Sequence, residues 1–160
     1  MGLLMSLSAQ AAPLWDFAAV PQNRMHLAAA PVSSGVAGVT EIISYTCIDG
    51  MPCAWSFSLA LDCKAGETAL AVVTAPALEM KGQKGPPGSF LQCGGPNPGL
   101  PGTYVYLIER TDIFGQLALQ NTPVTIRVSV AGGKRMRDVR MDFTGSAAVL
   151  AKVNTNHGRR

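Results

Sequence analysis

The 160-residue chain is poor in charged residues, aromatic residues and histidine. Charged residues make up 14% of it, against about 25% in an average soluble domain. The net charge of +3 is too small to indicate a nucleic-acid-binding protein, and no aromatic residues interleave with the basic ones. A hydrophobic share of 48% excludes a disordered chain and predicts a folded domain with a core.

Sequence motifs of catalysis and cofactor binding are missing as well. The chain has no phosphate-binding loop, dinucleotide fingerprint, calcium loop or Gly-x-Ser-x-Gly nucleophile elbow. His26 precedes the first predicted strand and His157 lies in the polar tail, so neither is in a segment expected to hold a Ser-His-Asp catalyst rigidly. The carboxylates are scattered. We therefore expect a non-catalytic protein without a cofactor.

The first eleven residues are typical of a secretory signal peptide. They are apolar and end in Ala9-Gln10-Ala11, a small-x-small pattern that predicts cleavage after Ala11. The first basic residue is Arg24, so a charged segment would have to lie upstream, and an ordinary apolar strand or helical turn is the alternative. We expect a periplasmic or secreted protein. No later stretch reaches the roughly 18 apolar residues of a membrane span.

The four cysteines predict two structural disulfides, because an even count after an export signal favours oxidised pairs. Three connectivities are open to four cysteines. Cys47 and Cys53 flank a turn-forming insert and can close a local bridge, which leaves Cys63 to pair with Cys93. The alternative for Cys47 and Cys53 is a redox pair or a soft-metal site, but redox pairs usually enclose two residues and this pair encloses five.

Alternating apolar residues predict an all-β fold. Residues 54–63 place Trp55 and every second residue after it on one face, and residues 123–130 alternate in the same way. Short strands spaced by about 8–12 residues indicate an immunoglobulin-like β-sandwich of about seven to nine antiparallel strands. Residues 112–115 are predicted to form a turn and residues 116–121 to continue the strand pattern. Residues 147–153 fit a strand or a helix.

This pattern divides the chain into four parts. Residues 1–11 are the predicted signal peptide. Residues 12–35 are an Ala/Pro-rich leader with little regular structure, and residues 36–153 are the sandwich domain. Residues 154–160 form a polar basic tail.

Residues 101–130 carry a family resemblance. They contain Gly-Thr-Tyr, an alternating strand, Thr-Asp-x-x-Gly and a valine-rich strand, at Gly102, Thr103, Tyr104, Thr111, Asp112, Gly115 and residues 124–130. The stretch resembles the last two strands of bacterial immunoglobulin-like domains of the polycystic-kidney-disease type. The resemblance implies a sandwich fold and no particular function, because that fold serves many roles. Tyr104 could act as a tyrosine corner, in which the ring packs and the hydroxyl bonds to the backbone. Gly115 could supply the positive φ that the turn needs.

Two sets of residues are candidates for binding. Two Gly/Pro-rich loops, residues 81–88 and 94–102, form one set, with Lys81 and Lys84 as its charged rim. The second set is a basic run that predicts attraction to an anionic surface or partner. Its members are Lys134, Arg135, Arg137 and Arg140. The alternative for the basic run is a solvated hairpin loop.

The sequence as a whole favours an exported, non-catalytic β-sandwich that binds or assembles with a protein or glycan in the cell envelope or outside the cell. The alternative is a periplasmic metal- or small-ligand-binding module. Met25, His26, Met51 and Met80 would be its soft ligands for Cu(I). The favoured interpretation is that they are ordinary leader and loop residues, because no dense Met/His array is present.

Overall fold

A computed structural model describes residues 14–78 and 84–157 of the chain. Within them, nine strands form one antiparallel sheet and two helices pack against it. The strands are β1 (Asp16–Val20), β2 (Met25–Val32), β3 (Glu41–Ile48), β4 (Ala54–Leu59), β5 (Thr68–Ala75), β6 (Gly88–Pro96), β7 (Tyr104–Ile108), β8 (Pro123–Val130) and β9 (Arg135–Asp142). The helices are α1 (Thr111–Gln120) and α2 (Ser146–His157). The prediction of an all-β, sandwich-like fold with seven to nine strands is confirmed.

The core lies on the inward face of the sheet. Trp55, Phe57 and Leu59 of β4 are at most 2% exposed, as their alternation predicts. On β8, Val124 and every second residue after it are buried in the same way. An aromatic cluster fills one end of the core, where Trp55 contacts Phe114 of α1.

The sheet bends back on itself. Its strand order is β1-β2-β3-β4-β7-β6-β5-β8-β9, so β2 and β9 lie near its two ends. They meet at one bridge, in which the Ser33 N–H donates to Arg140 O (3.0 Å) and the Arg140 N–H donates to Ser33 O (2.8 Å). Next to it, the Trp15 indole N–H donates to Asp142 O at 2.8 Å. These contacts hold the ends of the sheet together around the core.

Helix α1 corrects the prediction of a turn at residues 112–115 and a strand at 116–121. Ile113, Phe114, Leu117 and Ala118 are buried on one side of the helix, a spacing that follows the helical period. Gly115 is helical and does not have positive φ. Helix α2 decides the open question at residues 147–153 and extends through residues 154–157, which were assigned to the tail.

The predicted leader is also corrected. Residues 12–35 were expected to have little regular structure, yet they contain β1 and β2, which pair with each other and join the sheet through β3. Ala28 and Ala30 of β2 are buried, and α2 packs against this strand. Small side chains at these positions allow the close approach. The predicted signal peptide, residues 1–11, lies outside the described residues.

Both disulfides join the cysteines as predicted. Cys47–Cys53 closes the connection between β3 and β4, and Cys63–Cys93 ties the segment after β4 to β6. No free cysteine remains. Neither helix among the described residues is long and apolar enough to cross a bilayer.

Candidate functional site

Four residues of neighbouring strands form a row across the outward face of the sheet. Met136 of β9 lies opposite Ser129 of β8, Ser129 lies opposite Leu70 of β5, and Leu70 lies opposite Phe90 of β6. We call these four residues the outer row. Directly opposed side chains in antiparallel strands are about 4.5–5.5 Å apart at Cβ, so the row is continuous.

Three of the four residues of the outer row are large, apolar and open to solvent, and Ser129 between Met136 and Leu70 is polar and half-buried. Phe90 is 56% exposed, Met136 46% and Leu70 41%. Leu107 of β7, 45% exposed, lies opposite Gln92 on the same face and widens the apolar area. Single exposed apolar side chains are ordinary on protein surfaces, but contiguous ones mark sites of interaction.

The pleat of β5 and β6 explains why these large side chains face outward. On β5 the small residues Ala69 and Ala71 point into the core and Leu70 points out. On β6, Leu91 is buried inward and Phe90 projects outward. Because alternate residues of a strand face opposite sides, the inward set fixes the outward set.

A tight turn borders the outer row. Ala131, Gly132 and Gly133 follow β8, and all three have positive φ, with values of 52°, 66° and 89°. Glycine adopts this backbone without strain, so two glycines here allow the chain to reverse between β8 and β9. The turn, Leu70 and Phe90 line a shallow depression of about 360 Å³.

The predicted basic run is not a hairpin loop, because most of it is strand β9. The first arginine of the run, Arg135, forms ion pairs within the protein. The Arg135 guanidinium pairs with Asp62 at 2.8 Å and with Glu67 at 3.1 Å, and it also donates to the Asp62 carbonyl. It therefore anchors β9 to the segment between β4 and β5.

A second ion pair lies beside the outer row. Arg127 of β8 donates to both carboxylate oxygens of Asp138 on β9, at 2.8 and 3.0 Å. The hydrogen bonds from Arg127 hold the pKa of the Asp138 carboxyl below its ordinary value. Asp138 therefore stays ionised and neutralises Arg127.

The remaining cations of the run are exposed. Across residues 14–78 and 84–157, Lys134, Arg137 and Arg140 take part in no ion pair within 4 Å. Arg137 donates to the Met136 carbonyl of its own strand at 3.2 Å. The structure thus brings Arg137 and Arg140 onto the strand that carries one end of the outer row, with Lys134 just before it, and the charge of Arg140 also helps to lower the pKa of Asp138.

The two predicted Gly/Pro-rich loops do not form one surface. They are separated by β6, whose nine residues span roughly 30 Å, so they lie at opposite ends of that strand. The second predicted loop is also shorter than expected, because residues 94–96 belong to β6. Lys84 is exposed beside a depression of about 710 Å³ next to Val72 and Thr74, whereas Lys81 lies outside the described residues.

A separate groove of about 630 Å³ lies between α1, α2 and the sheet. Trp55, Tyr45 and Cys53 line its sheet side, and Leu119 and Leu150 line its helical sides. The Tyr45 hydroxyl donates to Asn154 Oδ1 at 3.0 Å. Burial raises the pKa of Tyr45, although this hydrogen bond acts in the opposite direction. The groove is large enough for a small apolar molecule.

The proposed soft-metal ligands that the structure describes are Met25, His26 and Met51. Among the described residues, no group of three or more His, Cys, Asp or Glu is placed to hold a metal ion. His26 is on β2, where its ring stacks on Phe17, and its Nδ1 is a buried atom without a hydrogen-bond partner. Met51 is 58% exposed, and Met80 lies outside the described residues.

Sequence analysis singled out the basic run but missed the outer row. The available signal was the composition of two strands: residues 69–73 carry a large residue between two alanines, and residues 89–91 carry phenylalanine next to leucine. When a strand has apolar residues on both faces and only one face covers the core, the other apolar face is available to contact another surface. Phe90, Leu70 and Met136 align only because of the order of the strands in the sheet and the register of each pair. Neither can be read from the sequence of one strand.

No protein family, curated protein or solved structure matches the chain. Function has to be inferred from the residues and their geometry.

Proposed function

We propose that this chain is an exported, non-catalytic β-sandwich-like module that binds a partner protein through the outer row, at the cell envelope or outside the cell. The observation that carries the proposal is that three exposed apolar side chains, Met136, Leu70 and Phe90, align in one row with Ser129 across four paired strands. An aromatic and a methionine side chain are typical of the apolar centre of protein interfaces.

The scaffold beneath the row supports this role. Leu91 and Cys93 flank Phe90 and Gln92 on β6 and are buried, and Cys93 is bonded to Cys63. Side chains on a rigid strand lose less conformational freedom on binding than side chains on a loop. The backbone that carries the row is therefore held in place before a partner binds.

Two disulfides support the exported part of the proposal. Disulfides persist in oxidising compartments and are rare in the reducing cytosol. All four cysteines are paired, so no thiol is left for redox or metal chemistry. Thiol titration of freshly isolated native protein under denaturing, non-reducing conditions should count no thiol, and four reactive thiols would contradict export.

Site-specific photocrosslinking in the native host tests the binding role. A photoreactive phenylalanine analogue at position 90 should give one discrete adduct, to be identified by mass spectrometry. The purified partner should then bind the unmodified protein in calorimetry and bind Phe90→Ser at least about tenfold more weakly, a loss of about 1.4 kcal/mol. Because Phe90 is more than half exposed, Phe90→Ser should remain folded.

Leu119 provides the matched control. It is 77% exposed on α1, outside the outer row. The analogue at position 119 should give no such adduct, and Leu119→Ser should bind the partner as the unmodified protein does. Equal adducts at the two positions, or an unchanged affinity of Phe90→Ser, would contradict the proposal.

A further inference from the structure

We infer that the open edge of β9 receives an extended acidic segment of the partner as an added strand. This inference rests on the proposed function, because the added strand would extend the outer row by one strand. It names the chemistry of the partner: an extended peptide in which acidic and apolar residues alternate. Strand addition to an exposed edge is a general mode of peptide recognition.

The backbone of β9 has the geometry for this pairing. Arg140 exchanges both backbone hydrogen bonds with Ser33, so its N–H and C=O point away from β8. The register of β9 with β8 is continuous from residue 135 to residue 142. In an antiparallel ladder the direction of these groups repeats every second residue, so the N–H and C=O of Met136 and Asp138 point the same way.

The chain that pairs at Arg140 does not continue along β9. After Ser33 it turns inward, because the Ser34 N–H and hydroxyl donate to the buried carboxylate of Glu41 at 2.8 and 2.7 Å. Within residues 14–78 and 84–157, no strand pairs with the open side of β9 at Met136 or Asp138. β9 is thus a strand edge already paired at one end and open at the other.

Charge selects an acidic occupant. Lys134, Arg137 and Arg140 lie along this edge without an ion-pair partner in the described part of the chain. The one acidic residue between them, Asp138, is neutralised by Arg127. A guest with carboxylates would pair with these cations, whereas a basic guest would be repelled.

The two faces of β9 differ in chemistry, so they determine how acidic and apolar residues should alternate along the guest peptide. A guest residue opposite Met136 would lie on the outward face, where it would extend the outer row and should be apolar. Guest residues on either side of it would lie on the face of Arg137 and should be acidic. Arg140 is on the outward face at the end already paired with Ser33, so it attracts the guest without fixing its alternation. Side chains of paired strands meet on the same face, so one register satisfies both requirements.

The direct test uses a capped six-residue peptide of alternating glutamate and valine. Isothermal titration with the full protein should show saturable binding that weakens as salt rises from 50 to 500 mM. A peptide alternating lysine and valine should not bind. In amide hydrogen exchange, the N–H groups of Met136 and Asp138 should gain protection when the acidic peptide is present.

Two pairs of variants separate backbone pairing from simple charge attraction. Met136→Pro removes an N–H that points away from β8, so no hydrogen bond to β8 is lost. It should lower the affinity for the acidic peptide at least about tenfold. Met136→Ala retains that N–H and should bind more tightly than Met136→Pro. Arg137→Glu combined with Arg140→Glu should abolish binding. Arg24→Glu should not, because Arg24 lies just before β2, at the end of that strand away from Ser33.

Each result decides the matter. Binding of the acidic peptide with protection at residues 136 and 138 supports the inference. Equal binding of the acidic peptide to Met136→Pro and Met136→Ala would show a purely electrostatic surface and overturn it. Dextran sulfate, which cannot pair as a strand, is the control and should bind both variants alike. If the acidic peptide does not bind while the crosslinked partner still depends on Phe90, the inference fails and the proposed function stands. In that case the cations only guard the edge against aggregation.

Discussion

At the scale of single residues, buried polar groups tie distant segments together. The Tyr106 hydroxyl is fully buried and donates to the Leu61 carbonyl at 2.7 Å, across 45 positions of sequence. Glu41, 3% exposed, accepts hydrogen bonds from Ser34 and from the Ala60 N–H. Such groups are costly to leave unpaired, so each one fixes the position of the segment that it contacts.

Tyr106→Phe should lower the free energy of unfolding by about 1–3 kcal/mol, because the Leu61 carbonyl would stay buried without its donor. Urea denaturation followed by tryptophan fluorescence measures the change. Tyr104→Phe is the control, since Tyr104 is only half-buried and should cost less than about 0.5 kcal/mol. Equal losses in the two variants would show that this hydrogen bond does not contribute to stability.

The contribution of the buried Tyr106 hydroxyl to stability should depend on pH in the alkaline range. Burial raises the pKa of the Tyr106 hydroxyl above its ordinary value. A raised folded-state pKa gives stability that is complete below the unfolded-state pKa of about 10 and is lost as pH rises through the folded-state value. The gap in stability between the unmodified protein and Tyr106→Phe should therefore narrow above pH 10.

At the scale of elements, the sequence predicts what alternation encodes and misses what tertiary packing decides. β4 and β8 were recognisable because their buried apolar residues fall at every second position. β1 and β2 were missed because their alanines are ambiguous until α2 packs on them. α1 was missed because a threonine, an aspartate and a glycine suggested a turn, although Ile113, Phe114 and Leu117 already show helical spacing.

The candidate site divides in the same way. Composition was enough to identify the cations from Lys134 to Arg140, because charge is visible in the sequence. The pairing of Arg135 with Asp62 and Glu67, which withdraws it from binding, depends on contacts between residues about 70 positions apart. The outer row depends on strand order, which places β5 between β6 and β8. Neither could be read from local sequence.

The two disulfides should contribute unequally. Cys63–Cys93 spans 30 positions and Cys47–Cys53 spans 6. The chain-entropy account gives about 3.7 kcal/mol for the longer loop and about 2.4 kcal/mol for the shorter one. We expect the double variant Cys63→Ala/Cys93→Ala to be less stable than Cys47→Ala/Cys53→Ala in non-reducing urea denaturation. The reverse order would mean that the short bridge contributes mainly through the folded hairpin.

At the scale of the whole molecule, the fold is closed by its first described residues. Trp15 is 3% exposed and contacts the rings of Trp55 and Phe143, in addition to its hydrogen bond with Asp142. Ser33 supplies the bridge to β9. The segment interpreted from sequence as a leader therefore forms one wall of the core. It also pairs with β9 only at Arg140, which leaves the rest of that strand edge open.

This closure predicts opposite outcomes for two truncations. Deleting residues 1–35 removes Trp15 and all of β1 and β2, so the aromatic cluster around Trp55 would open to water. Loss of a buried tryptophan alone costs about 3–5 kcal/mol, a large part of the roughly 5–15 kcal/mol that holds a domain folded. We expect this truncation to lose its cooperative thermal transition and to bind a hydrophobic dye. Deleting residues 1–13 removes none of the contacts described above, and the transition should remain. A folded, cooperative product of the longer deletion would show that residues 14–35 are an appendage, as their composition first suggested, and that the sheet does not need its closing bridge.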